Sequence, residues 1–190
     1  MQQQQDMYKF IHDQTLRLAN LGYTPREIAE KLKLPKDLAK NFHVRGYYGT
    51  LSHNSKAVYQ HYFGWYDGNP ANLNPLPPEQ SATRYVEFMG GSVAILERAR
   101  GYMGKGDYRW VGEVLNHLVF AEPNNIAARE MLAEAYRQMG YQAESGPWRD
   151  IYLSGAAELI SGRVQKRAIK RSAKAFLQEV PLHEFMKALS

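Results

Sequence analysis

The sequence contains no cysteine. Disulfide bonds, a thiolate nucleophile and zinc sites built on Cys ligands are therefore excluded, and only His, Asp and Glu could bind a metal. No apolar run approaches the roughly 18 residues that a membrane-spanning helix needs. The N-terminal stretch MQQQQDMYK lacks the charged start and apolar stretch of a secretion signal. Alternating apolar and polar runs are also scarce, so little β-strand is predicted.

The positive charge is concentrated in one segment. The chain carries a net charge of +5, with 24 basic and 19 acidic side chains. Residues 163–174, RVQKRAIKRSAK, hold six of the basic residues and no acidic one, which leaves 24 − 6 = 18 basic residues elsewhere. This segment could lie on an anionic surface, but a solvated helix or linker is favoured.

Helical periodicity predicts an all-α fold. Apolar residues recur at helical spacing from Tyr8 onward, and Gly22 ends that first helix. Thr24, Pro25 and Glu27 then have the pattern of a capping box with proline at the first helical position. The pattern further predicts a short helix over 36–42, a long loop over 67–78 that is rich in turn formers, and a helix over 79–89.

A spacing of 34 residues indicates an internal repeat between 92 and 149. The recurring pairs are Ala99 and Ala133, Tyr102 and Tyr136, and Gly106 and Gly140. These small, aromatic and turn positions predict a helical array with two tetratricopeptide-like hairpins. Two such repeats leave apolar end faces, which the preceding helices, a second copy or another domain could cover. Because such repeats usually bind protein, a stand-alone protein-interaction module is one candidate function.

Nucleic-acid binding is a second candidate. The stretch TPREIAEKLKLP, followed by LAKNF, is similar to a helix-turn-helix, which would place residues 36–45 in a major groove. Lys33 stands where such turns commonly have glycine, and the second helix runs into Gly46 and paired tyrosines. A packed helical hairpin is therefore favoured, and no specific nucleic-acid partner is predicted.

Metal and catalytic motifs are also absent from the sequence. His43, His53 and His61 lie near one another, but their spacings match no compact set of metal ligands. No Ser-His-Asp order or glycine-rich phosphate loop occurs. We therefore predict no metal site, and no catalytic residue acting in isolation.

The segment RGYYGTLSHN, residues 45–54, is the strongest candidate for a binding site. It contains groups suited to an anion, together with glycines that let the backbone approach a ligand. The candidates are Arg45, Tyr47, Tyr48, His53 and Asn54. The residues alone support equally a connection between helices whose tyrosines pack in the core.

A family resemblance decides between these interpretations. The stretches HDQTLRLANLGYTPREIAEKLKLP and RGYYGTLSHNSKAVYQHYFGWYDGNPANLNPLPP, and RYVEFMGG with the two hairpins, resemble alkyl sulfatases of the metallo-β-lactamase superfamily. The resemblance implies a helical dimerisation domain over 1–160. Residues 161–190 would be a basic linker or helix and the truncated start, PLHEFMKAL, of a sterol-carrier-like domain. In the family, a zinc-binding hydrolase domain precedes this region.

The resemblance also implies a function. The intact family hydrolyses alkyl sulfate esters such as dodecyl sulfate with two zinc ions, and its bacterial members are often periplasmic or secreted. The zinc ligands belong to the preceding domain, so this chain is expected to be inactive alone, without cofactor, and to form a homodimer. His53 matches the family's SHN histidine, which would contact a sulfate oxygen or assist the leaving group. Phe63, Trp65 and Tyr66 would provide an apolar wall or pack in the dimer core.

Overall fold

The computed structural model describes residues 2–162. These residues form α-helices and short 3-10 turns without a strand, which confirms the all-α prediction. The helices are α1 (Gln2–Asn20), α2 (Pro25–Lys31), α3 (Lys36–Ala39), α4 (Leu51–Phe63), α5 (Pro78–Phe88), α6 (Gly91–Gly104), α7 (Tyr108–Ala121), α8 (Ile126–Gln142) and α9 (Gly146–Ser161). No helix within 2–162 is both long and apolar enough to cross a membrane.

Helices α1 to α4 form an N-terminal lobe. Its core consists of Met7, Ile11, Leu18, Ile28, Leu32 and Val44. The predicted capping box starts α2: the Thr24 backbone N–H donates to Glu27 Oε2 at 2.8 Å, and the Glu27 N–H donates to Thr24 Oγ1 at 3.4 Å. The backbone N–H groups of Thr24 and Glu27, which have no partner within the helix, are thus both hydrogen-bonded. With its N-terminus satisfied in this way, α2 can turn its apolar face toward α4.

Helices α5 to α9 form a C-terminal lobe. Its core includes Ile95, Val111, Leu115, Leu118 and Leu132. The helices α6 to α9 make two consecutive hairpins, as the 34-residue spacing predicts. Their likeness to tetratricopeptide repeats stays a prediction.

The two repeat glycines have different roles. Gly106 lies in the turn between α6 and α7 with φ +76°, as predicted. Gly140, however, lies inside α8, so the prediction that it makes the second turn is wrong. A Cβ at Gly140 would be 2.9 Å from Leu153 Cδ2, so glycine is needed there for the close approach of α8 and α9.

Three other segments refine the sequence predictions. The predicted third helix is a single turn, α3, followed by a 3-10 turn at Phe42–Val44. The predicted loop over 67–78 contains a 3-10 turn at Pro70–Asn72 and ends as α5 begins. Residues 51–63, which the sequence left without an element, form α4. The basic segment 163–174 and the expected start of a further domain lie outside the described residues.

Candidate functional site

The 45–50 loop, residues Arg45 to Thr50, connects the last 3-10 turn of the N-terminal lobe to α4 and is attached to the other lobe. The Gly146 N–H donates to the carbonyl oxygen of Tyr47 at 2.8 Å. The Ser145 hydroxyl donates to the carbonyl oxygen of Tyr48 at 2.5 Å. Ser145 is buried and also caps the N-terminus of α9, accepting from the Trp148 N–H. The turn between α8 and α9 therefore fixes the loop backbone.

The side chain of Arg45 is held in the same place. Its guanidinium forms an ion pair with Glu144, which belongs to the same α8–α9 turn. It also lies over the Tyr47 ring, 5.5 Å from the centroid, and Phe42 packs against that same ring with 5.0 Å between centroids. Half of the Arg45 side chain stays exposed, so some of its donors remain available to a ligand.

The first turn of α4 positions His53 and Asn54. Thr50 caps this helix, because its hydroxyl accepts a hydrogen bond from the His53 N–H at 2.9 Å. His53 is exposed in that first turn, where the helix dipole favours a negative group. A Cβ at Gly49 would be only 2.7 Å from Asn54 Oδ1, so the Asn54 side chain lies directly against the loop.

A cavity of about 880 Å³ opens between the loop and α1; we call it the loop cavity. Arg45, Tyr48 and Asn54 line it, whereas Tyr47 and His53 do not. The structure thus brings together three of the five predicted residues and leaves the other two outside the lining. The apolar part of the lining includes Met7, Ile11, Leu34, Leu51, Ala57 and Val58.

The aromatic residues that the sequence offered as an apolar wall lie elsewhere. Phe63, Trp65 and Tyr66 do not line the loop cavity. Phe63, the last residue of α4, and Trp65, just beyond it, are both exposed. The apolar wall of the cavity instead comes mostly from α1 and α4, because these helices pack their apolar faces together beneath the loop.

Sequence reasoning missed the residues that hold the loop. Glu144 and Ser145 lie almost a hundred positions further along the chain, and Trp148 lines the same cavity. The Ser-Gly-Pro start of α9 is recognisable as a helix cap, but a cap gives no indication of which distant carbonyl its hydroxyl reaches. No local pattern could have paired these residues with the loop.

The described part of the chain does not fit a zinc site. Within 2–162 no group of three or more His, Asp or Glu side chains could hold a metal ion. Two of the candidate histidines have other neighbours: His43 Nε2 lies 2.7 Å from Gln3 Oε1, and the His61 ring packs edge-on against Tyr62. Residues 2–162 therefore provide no set of ligands for a zinc ion.

Comparison with known proteins identifies the family. The family model described as alkyl sulfatase dimerisation matches residues 24–162, which include the 45–50 loop and both hairpins. This chain belongs to the alkyl sulfatase dimerisation family. The family resemblance predicted from the motifs is thereby confirmed, and the matched region contains every candidate residue.

Curated alkyl sulfatases are similar to this member of the family. The alkyl/aryl-sulfatase BDS1 of Saccharomyces cerevisiae is 56% identical over 187 residues, which cover 98% of this chain and 29% of the relative. A linear primary-alkylsulfatase of a Pseudomonas species is 62% identical over 159 residues, covering 84% of this chain and 24% of the relative. The chain thus spans about a quarter of the length of these relatives.

Solved structures share the fold as well as the sequence. The stereoselective inverting sec-alkylsulfatase Pisa1 from a Pseudomonas species matches 86% of this chain and 26% of its own chain, with a TM-score of 0.84 and 50% identity. A double mutant of the same sec-alkylsulfatase matches with a TM-score of 0.82. The alkyl sulfatase dimerisation segment therefore has the same fold in this chain as in these solved enzymes.

Proposed function

We propose that this chain is the dimerisation segment and one edge of the substrate site of an alkyl sulfatase, with the sulfate head of an alkyl sulfate ester at the loop cavity. The loop cavity carries this proposal, since it joins Arg45, Tyr48 and Asn54 to an apolar wall. A sulfate monoester needs several convergent donors for its oxygens and an apolar surface for its alkyl chain.

Arg45 is suited to this role despite its ion pair with Glu144. The guanidinium has five N–H donors in a planar fork, so one edge can remain with Glu144 while another binds a sulfate oxygen. The carboxylate also fixes the orientation of the fork before substrate arrives, which reduces the entropy lost on binding.

His53 would act at the rim of this site. Family resemblance assigns its imidazole a hydrogen bond to a sulfate oxygen, or proton donation to the oxygen of the leaving group. Its place in the first turn of α4 supports an interaction with an anion, because the helix N-terminus carries partial positive charge. The overall reaction would convert the ester and water into an alcohol and hydrogen sulfate. The zinc ions that activate water would be held by a hydrolase domain outside residues 2–162.

The site is tested in a full-length alkyl sulfatase that contains this segment. Each of Arg45→Met and His53→Ala should lower kcat/KM by about tenfold or more, because a hydrogen bond to a charged group contributes about 1.5–3 kcal/mol. The control is Lys33→Met, which removes an exposed charge on the same lobe. Unchanged kcat/KM in both site variants would refute the assignment, and loss of soluble protein would make His53 a structural residue.

Self-association is the second part of the proposal. The groove between α5, α6 and α7, of about 520 Å³, has mostly apolar and aromatic lining. Its exposed aromatic residues are Tyr85, Phe88, Tyr102 and Trp110. Arg98 and Glu113 also line it, so two copies related by a twofold axis could pair these opposite charges reciprocally. We therefore assign this groove to a second copy of the chain.

Sedimentation and metal analysis test this part with the 190-residue chain alone. We expect a dimer at micromolar concentration, without stoichiometric zinc and without sulfatase activity. A monomer at this concentration would contradict self-association and favour the alternative of a module that binds a different protein. If the purified chain bound zinc and hydrolysed an alkyl sulfate, the proposal that the zinc site belongs to another domain would be contradicted.

A further inference from the structure

A second cavity lies between the two lobes, on the other side of α4 from the loop cavity; we call it the seam cavity. Its volume is about 820 Å³, within the range of about 300–1,000 Å³ that small-molecule sites occupy. Side chains from both lobes line it, so it exists only because the lobes are held together. Ser52 and Lys56 of α4 line this cavity, whereas Asn54 and Val58 of the same helix line the loop cavity.

The charges that line the seam cavity are not balanced. Three cations, Arg26, Lys56 and Arg109, face two carboxylates: Glu30, and Glu113, which also borders the groove between α5, α6 and α7. Arg109 donates to Glu30 at 2.9 Å. Among the described residues, Arg26 and Lys56 have no ion-pair partner. The cavity lining therefore has an excess of one positive charge, and two of its cations are available to a ligand.

Lys56 is an exposed residue of α4 whose ammonium group has no carboxylate partner among the described residues. Its partial burial lowers its pKa, the nearby Arg109 and Arg26 lower the pKa further, and Glu30 opposes them by raising it. Its Nζ lies 5.8 Å from the centroid of the Trp148 ring, a cation–π contact that compensates part of the lost hydration. That contact satisfies none of the three N–H donors, which an anionic group in the cavity would satisfy.

The opposite wall of the seam cavity is apolar and aromatic. Met139 and Tyr136 from α8 and Trp148 and Tyr152 from α9 line it. Burial raises the pKa of Tyr136, so its phenol stays neutral and can only donate or accept a hydrogen bond. The cavity thus combines a cationic side from α2, α4 and α7 with an apolar side from the C-terminal hairpin.

We propose that the seam cavity binds an organic monoanion, with a carboxylate or sulfate head at Lys56 and Arg26 and an apolar body against Met139 and the neighbouring aromatic rings. A single negative charge matches the excess of one positive charge in the lining. The ligand is held by both lobes at once, so its binding also stabilises their contact. Trp148 lines both cavities, but their cations differ: Arg45 lines only the loop cavity, and Lys56 and Arg26 line only the seam cavity.

The experiment titrates octanoate, octyl sulfate, octanol and inorganic sulfate into the 190-residue chain with 13C-labelled methionine methyl groups. The methyl of Met139 reports on the cavity, because it lies beside Gly112 on its lining. We expect saturable binding of octanoate or octyl sulfate at this methyl, and affinities at least tenfold lower for octanol and inorganic sulfate. If only one of the two amphiphiles binds, the head group is identified.

Matched variants separate this site from general charge effects and from the proposed sulfate site. Lys56→Met should weaken binding at least tenfold, whereas Lys33→Met, which removes an exposed cation of equal charge, should leave it unchanged. Arg45→Met should also leave the Met139 response unchanged, since Arg45 belongs to the loop cavity. The proposal would be overturned if octanol bound as tightly as octanoate or octyl sulfate, or if Lys56→Met and Lys33→Met weakened binding equally. It would also be overturned if neither amphiphile changed the Met139 signal.

Discussion

Ser145→Ala tests whether the α8–α9 turn fixes the 45–50 loop. The Ser145 hydroxyl has two contacts: it donates to the Tyr48 carbonyl at 2.5 Å and accepts from the Trp148 N–H at 3.4 Å. Alanine cannot make either contact. The substitution leaves the volume of the buried site almost unchanged, so the loss of these two hydrogen bonds is the main effect.

The magnitude follows from those two contacts. Loss of a serine N-cap costs about 1 kcal/mol. A partly buried carbonyl left without its donor costs about 1–3 kcal/mol more, and the exposure of the Tyr48 side chain places the value at the lower end. We expect the free energy of unfolding to fall by about 2–3 kcal/mol, which corresponds to a fall in Tm of about 4–12 °C for a chain of this size.

Urea unfolding followed by circular dichroism measures the loss, and amide hydrogen exchange locates it. The N–H of Gly146, which donates to the Tyr47 carbonyl, should exchange faster in Ser145→Ala because the loop is released. Ser154→Ala, at an exposed position of the same helix, is the matched control. If the two variants have equal stability and equal exchange at Gly146, the turn does not hold the loop.

Three further predictions concern other parts of the chain. Gly49→Ala should lower the free energy of unfolding by no more than about 1.5 kcal/mol in urea titration, because its Cβ would lie 2.7 Å from Asn54 Oδ1, at the far end of a side chain that can rotate away. Asp67 accepts local hydrogen bonds that lower its pKa below the ordinary value of 3.8. Its contribution to stability is therefore present at neutral pH and is lost as the pH falls through the folded-state pKa. Carboxyl 13C NMR should give a titration midpoint below 3.8 for Asp67. Phe88→Asp should raise the dimer dissociation constant at least about 100-fold in sedimentation, since burial of each Phe contributes about 1.5–3 kcal/mol. Ile151→Asp, at an exposed apolar residue outside the groove, should not change it.

Local features of the fold could be predicted from the sequence because their causes are local. The capping box at Thr24 and Glu27 requires only residues three positions apart, and the structure has it as predicted. The turn glycine Gly106 is likewise determined by the left-handed backbone conformation of one residue. Gly140 has the same repeat spacing, but glycine is required at this position by the contact with Leu153 on the next helix. Repeat spacing cannot distinguish a turn glycine from a contact glycine, so that prediction failed.

The candidate site depends on contacts that the sequence does not encode locally. Side-chain chemistry within the segment 45–54 selected Arg45, Tyr48 and Asn54, which do line one cavity. It could not show that Glu144 forms an ion pair with the Arg45 guanidinium, because this pair forms only when the two lobes meet. For the same reason, the positive side of the seam cavity is invisible in the sequence: Arg26, Lys56 and Arg109 belong to three helices in two lobes.

The two interpretations of the 45–50 loop, connector and contact surface, therefore describe one arrangement. The loop carbonyls accept hydrogen bonds from the α8–α9 turn, so the loop does not depend on the Arg45–Glu144 ion pair alone, and the exposed half of Arg45 and the side chain of Tyr48 can face the loop cavity. A loop held only by its own side chains would have to release them to bind a ligand, at a cost in order and stability. Because backbone groups hold this loop in addition to the Arg45–Glu144 pair, the remaining donors of Arg45 can bind an anion without loss of the contact between the lobes. The fixed backbone is thus the condition for a preorganised site.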